Sequence, residues 1–141
     1  MGPYNDTLGS FDKRQLYFYR TIGTLPPDPN MSACAHLYAS DRNSLFIVAN
    51  NLGVADKFTQ MASLSHTVVF HVPAEDLLMN DASGHREWYC KEDWTSRAGG
   101  GRGIHQSRIV GRNGKHVASS FQEGLVRIAK DGQAQKSKSK L

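Results

Sequence analysis

Asn30-Met31-Ser32-Ala33-Cys34-Ala35-His36-Leu37-Tyr38-Ala39-Ser40-Asp41-Arg42-Asn43-Ser44-Leu45-Phe46-Ile47-Val48-Ala49-Asn50-Asn51-Leu52-Gly53 is the stretch that decides the fold. A 3.6-residue periodicity runs through Cys34, Leu37, Tyr38, Asp41, Leu45 and Val48, and the run stops at Asn50-Asn51-Leu52-Gly53. The pattern predicts one long helix, capped at Asn30 or Ser32 and the only long helix of the chain. Asp41 falls on its apolar stripe, sharing a face with Leu37, Tyr38, Leu45 and Val48. A carboxylate on a core-facing stripe is costly unless it is partnered, so the position points either to a buried hydrogen-bond network or to chemistry.

Outward from that helix the sequence reads as strand. Upstream, residues 12–23 are rich in aromatic and β-branched types and end at Gly23, and Pro26, Pro27 and Pro29 then argue against regular structure. Downstream, residues 61–72 carry Thr67-Val68-Val69-Phe70-His71-Val72 before Pro73, and further strands are expected over 86–96, 102–111 and 116–128. Arg112-Asn113-Gly114-Lys115 is a hairpin signal between the last two. One strand, one long helix and then an antiparallel meander predict an α+β fold in which the sheet wraps around the helix, the hotdog arrangement. The expected organisation is an N-terminal extension over 1–11, one hotdog domain over 12–128 and a disordered basic tail over 129–141.

The bulk properties narrow the function. A chain of 141 residues can bury a core without disulfide or metal staples. Cys34 and Cys90 have no paired spacing and the six histidines follow no ligand rhythm, so reduced thiols and no structural zinc or other metal are expected, and no cofactor is implied. The start, Met1-Gly2-Pro3-Tyr4-Asn5-Asp6, has neither the basic nor the apolar region of a leader, and Pro3 and Asp6 defeat a myristoylation signal. No stretch reaches the length of a membrane span, so a soluble, non-secreted protein with no membrane insertion is expected. The net charge of +4 owes much to Lys130, Lys136, Lys138 and Lys140. Arg97-Ala98-Gly99-Gly100-Gly101-Arg102-Gly103 lacks interleaved aromatics, which argues against a nucleic-acid partner.

Five blocks carry a resemblance: Leu37-Tyr38-Ala39-Ser40-Asp41; Ala62-Ser63-Leu64-Ser65-His66-Thr67 with Phe70-His71 and Pro73; Glu87-Trp88; Ser96 to Gly103; and Val117-Ala118-Ser119 with Gln122-Glu123-Gly124. In order and spacing they resemble the type II acyl-CoA thioesterases over residues 12–128. That family is built from two fused hotdog halves, and this chain is similar to the C-terminal half. The resemblance implies hydrolysis of fatty acyl-CoA to fatty acid and CoA, with Asp41, Ser63 and Gln122 positioning the hydrolytic water. It also implies a second hotdog as partner, either another copy or a separate N-terminal half. Ser63 stands where many relatives have Thr, Ser65 where they commonly have Asp, and Val72 where they commonly have Arg.

The chemistry suits those side chains. Thioester hydrolysis needs a water aimed at the carbonyl carbon and a base for its proton; Asp41 suits the base, while Ser63 and Gln122 each both donate and accept. An Asp41 nucleophile ranks second. Arg97, Gly100, Gly101 and Arg102 are candidates for CoA phosphate binding, with a plain glycine-rich turn as the competing reading. The competing readings elsewhere are a capping or packing carboxylate paired with Arg42 or a strand for Asp41, a buried amide bonded to backbone for Gln122, and a satisfied core histidine for His66. A non-catalytic acyl-CoA-binding subunit, or an inactive half of a two-hotdog enzyme, is the alternative function. Ser139-Lys140-Leu141 reads as a peroxisomal address, which predicts an import receptor as partner and the peroxisomal matrix as location.

Overall fold

The computed structural model describes residues 3–23, 25–81 and 83–129. Its elements are α1 (Pro3–Asp6), β1 (Gln15–Tyr19), α2 (Pro29–Asp41), α3 (Phe46–Asn51), β2 (Phe58–Phe70), a 3-10 turn (Ala74–Leu77), β3 (Tyr89–Gly99), β4 (Arg102–Val110) and β5 (His116–Ile128). The five strands form one antiparallel sheet in the order β1-β3-β4-β5-β2, with α2 and α3 on its concave face. This is the expected α+β hotdog arrangement. The meander, however, comprises only β3, β4 and β5. The segment after β2, with its 3-10 turn, carries the chain across the sheet end, so β2 becomes the edge strand beside β5. Among the described residues no helix is long and apolar enough to cross a membrane, and no group of three or more His, Cys, Asp or Glu side chains is placed to hold a metal.

The predicted single helix is bent into two. It begins earlier than Asn30, because the Asp28 carboxylate accepts from Asn30 N at 2.9 Å, and Pro29, expected to forbid regular structure, is the first helical residue. Proline suits that position, where its missing N–H is not needed. At the other end Asn43 takes φ 60°, and Ser44 bonds twice to the Asp41 carbonyl, through its backbone N at 3.1 Å and its Oγ at 2.6 Å. Asparagine is among the few side chains that tolerate the left-handed region, so α2 ends here and the chain restarts as α3.

The bend comes with an altered inward face. Leu37, Tyr38 and Asp41, predicted to face the core, are exposed, while Ser32, His36 and Ser40 are buried. A polar stripe can face inward because each of its groups is partnered. His36 bonds the Tyr19 hydroxyl at 2.7 Å and the Leu77 carbonyl at 3.0 Å, and Ser40 Oγ donates to the Leu37 carbonyl at 2.7 Å. Burial pushes the His36 pKa down, so the ring is held neutral.

The concave face is layered. One apolar cluster holds Leu77, Met79, Tyr89, Ile109, Val117 and Ala118, and a second holds Ile47, Val48 and Val126. Between them runs a buried polar belt of Asp93, Thr95, His105, Ser107, Ser120 and Gln122. The α3 segment sits close to the sheet because Gly103 and Gly124 have no side chain there: a Cβ on Gly103 would collide with Val48, and one on Gly124 with Leu45.

Candidate active site

Three elements converge beside the end of α2. Asp41 is the last residue of that helix, Ser63 lies on β2 and Gln122 on β5. Gln122 is fully buried, and its Nε2 donates to Asp41 Oδ1 at 2.7 Å and to Ser63 Oγ at 2.6 Å. The three side chains singled out from the sequence are thus one hydrogen-bonded group. Of the competing readings, Gln122 is indeed a buried amide, but it is bonded to side chains rather than backbone. Both Nε2 hydrogens are committed, and the amide bridges the carboxylate to the hydroxyl. Asp41 and Ser63 are themselves exposed, so the group opens to solvent on the side of the β2 edge.

A β-bulge sets this geometry. Ser63 pairs with Gly124 and Ser65 with Glu123, leaving Leu64 as the extra residue. The bulge reverses the alternation, so Ser63 and His66 both point to the concave face, although they are three residues apart. His66 is therefore not the core histidine expected. It is exposed, lies opposite Gln122, and its Nε2 is 3.2 Å from Ser40 Oγ. Partial burial lowers its pKa, with the Asp41 charge opposing that shift.

The glycine-rich candidates lie elsewhere. Gly100 and Gly101, at φ 60° and 74°, form the two-residue turn between β3 and β4, the pairing of Gly99 with Arg102 closing it. The Gly101 carbonyl accepts from Val126 N at 2.9 Å, and Arg102 pairs with Glu123 at 2.8 Å. Arg97 and Arg102 share the convex face with Ile104 and Glu123, around a cavity of about 210 Å³, whereas Gln122 faces the other way. The structure does not bring this loop to the Asp41–Gln122–Ser63 group. Ser139, Lys140 and Leu141 lie outside the described residues, as does the tail from residue 130.

The buried charges next to the site were not among the residues singled out from the sequence. Lys91, Asp93 and His105 are each at most 2% exposed. Lys91 Nζ is 3.4 Å from Asp93 Oδ2, and His105 Nε2 is 3.0 Å from Asp93 Oδ1. Burial lowers the Lys91 pKa and the Asp93 charge counters it. Strand alternation was the available signal: Lys91, Asp93 and Thr95 share a face with Tyr89.

Comparison with known proteins shows the family and the fold. Residues 5–126 match the family described as acyl-CoA thioesterase C-terminal domain. The chain belongs to that family, whose relatives are thioester hydrolases. It is 27% identical to acyl-CoA thioesterase 2 of Haemophilus influenzae, over 90% of this chain and 41% of that protein. It is 30% identical to acyl-coenzyme A thioesterase 8 of Mus musculus, over 89% of this chain and 37% of the relative. Among solved structures, an acyl-CoA thioesterase II from Mycobacterium marinum superposes with a TM-score of 0.67 at 31% identity, covering 83% of this chain and 42% of that one. A hot-dog-like protein from Thermanaerovibrio acidaminovorans, 14% identical with a TM-score of 0.54, shares the fold over 91% of this chain and 90% of its own. The chain spans about two fifths of the length of the curated thioesterases it matches.

Proposed function

We propose that this chain hydrolyses the thioester of a fatty acyl-CoA, with Asp41 as general base. The observation that carries the reading is the meeting of Asp41, Ser63 and Gln122 from three elements in one solvent-facing hydrogen-bonded group. Asp41 Oδ1 is held by Gln122, which leaves Oδ2 to take a proton. Ser63 Oγ accepts from Gln122, which leaves its own O–H and a lone pair for a water. Gln122 then acts as the bracket that fixes the distance between base and hydroxyl.

In the reaction, the water oxygen attacks the thioester carbonyl carbon as Asp41 removes its proton. The tetrahedral intermediate collapses by breaking the C–S bond. The CoA thiolate leaves with a proton returned by Asp41, and the products are the free acid and CoA. General-base assistance of this kind contributes roughly 10²- to 10⁴-fold.

The partner in this reading is a second hotdog. Edge strand β2 is 13 residues long and exposes Leu64 and Val69, Leu37 is exposed on α2 beside it, and the site opens on this side. An uncovered edge of that length is a template for pairing. A non-catalytic acyl-CoA-binding subunit is the second reading, supported by the exposure of Asp41 and Ser63. Thiol release from palmitoyl-CoA, compared between wild type and Asp41→Ala, separates the two. Release that falls at least 100-fold supports the enzyme; no release by the wild type, or release untouched by the substitution, sinks it.

A further inference from the structure

Three buried ionisable groups take no part in the reaction just described, yet they touch both sides of its site. Lys91 Nζ donates to the carbonyls of Arg42, at 3.1 Å, and Ser40, at 3.5 Å, the two residues flanking Asp41. These carbonyls belong to the end of α2, where backbone acceptors lack helical partners and a cation is favoured. The opposite end of the network is His105, whose Cα pairs with that of Gln122 across β4 and β5. Thr95, His105, Gln122 and His66 fall in one row across four strands. Asp93 joins the two ends, its Oδ2 ion-paired with Lys91 at 3.4 Å and its Oδ1 accepting from His105 at 3.0 Å.

Two of the polar atoms left over belong to facing residues of β4 and β5. His105 Nδ1 and Gln122 Oε1 are both buried with no hydrogen-bond partner among the described residues. Directly opposed residues on neighbouring strands hold their side chains about 5 Å apart at Cβ, within reach of a single bridging water. With His105 Nε2 donating to Asp93 and both Gln122 Nε2 hydrogens committed, Nδ1 and Oε1 are both acceptors, so a single buried water donating to each is what joins them; the Thr95 hydroxyl, opposite His105 on β3, is likewise without a partner among the described residues. A buried ion pair is also weak evidence of a purely stabilising role, since an apolar replacement of similar volume is often as stable.

We propose that Lys91, Asp93 and His105 are a positioning network, with Lys91 holding the helix end that bears Asp41 and His105 holding the amide of Gln122. The inference rests on the hydrolytic reading of the Asp41 site and adds to it a buried support for the base and its bracket. Displacing Gln122 by about an ångström is enough for a hundred-fold loss in a reaction that depends on alignment.

The test uses His105→Gln, which keeps a donor for Asp93 and leaves the Lys91–Asp93 pair intact. Thiol release is measured in the wild-type and Gln122→Ala backgrounds, with Asp93→Asn as a second variant and thermal unfolding as the check on folding. For His105→Gln the expected result is a ten- to hundred-fold fall in kcat with KM unchanged in the wild-type background, and no further fall in the Gln122→Ala background, because His105 acts through that amide; Asp93→Asn, which releases Lys91 as well, is expected to lose at least as much in the wild-type background. Equal losses from His105→Gln in both backgrounds would mark a structural role and overturn the proposal. Independently of turnover, the Gln122 side-chain amide signal in a ¹⁵N-labelled sample, identified by its loss in Gln122→Ala, is expected to shift and exchange faster in His105→Gln. An unmoved signal overturns the network even when hydrolysis is intact. A wild type that releases no thiol sinks the hydrolytic reading instead, and the amide signal still decides whether the network holds Gln122.

Discussion

Gln122 Nε2 and Asp41 Oδ1 meet at 2.7 Å across 81 residues of sequence, and the amide enters that contact as the donor. Gln122→Glu keeps the shape and removes the donor, placing two carboxyl groups where one carboxylate was bonded. Such a pair shares a proton, because both cannot ionise at that distance. The variant is expected to lose about 10²-fold in kcat at neutral pH, with the pH-rate profile of thiol release displaced to higher pH. An unshifted profile would mean that the contact does not set the base.

Ser63 supplies only a hydroxyl, so Ser63→Thr is expected to keep hydrolysis within a few-fold of wild type. Ser63→Ala leaves one Gln122 hydrogen without its acceptor. A lost hydrogen bond of this kind is worth about 1 kcal/mol or more, or about a five- to ten-fold fall in kcat/KM. Steady-state kinetics on the two variants check the order.

Size-exclusion chromatography with light scattering tests the partner. At micromolar concentration the chain is expected to run as a dimer or larger, and a lysine at Leu64 or Val69 on the edge strand is expected to weaken that assembly. A wild type that stays strictly monomeric contradicts self-pairing through β2.

Acid sensitivity follows from His36. Its folded pKa lies below the ordinary 6.5, because burial disfavours the charged ring. As pH falls below 6.5, the unfolded chain takes up a proton there and the native one does not, so stability drops until the native pKa is reached; above 6.5 this contribution is constant. Denaturant midpoints between pH 7 and pH 5 are expected to fall, and His36→Gln is expected to flatten that slope. An equally steep slope in the variant would assign the effect to other groups.

Much of this was legible in the sequence, and the exceptions have physical causes. The strands, the Gly53 stop and the Asn113-Gly114 hairpin depend on local conformational preference: β4 and β5 stand where the pattern put them, β2 and β3 are displaced by two or three residues, and β1 is only Gln15–Tyr19 of the 12–23 expected. The helix bend was hidden because the apolar period continues past Asn43 while the backbone does not. The inward face of α2 misled for a related reason: His36 and Ser40 are inside on the strength of partners from Tyr19, Leu77 and the helix itself, which periodicity cannot see. Asp41 was chosen as a buried anomaly and is an exposed helix-end residue. The meeting with Ser63 and Gln122 came from the resemblance, while the bulge at Leu64 that aims Ser63 inward left no mark in the composition of β2.

Gly103 and Gly124 set how deep the helix pair lies, since Val48 and Leu45 occupy the volumes their side chains would take. Asp41, four residues before Leu45, is therefore held at a height above the sheet fixed by two missing methyl groups. Across lineages this predicts paired change: alanine at 103 or 124 is tolerable only where 48 or 45 has shrunk, and a chain that altered one without the other would lift its base away from the amide.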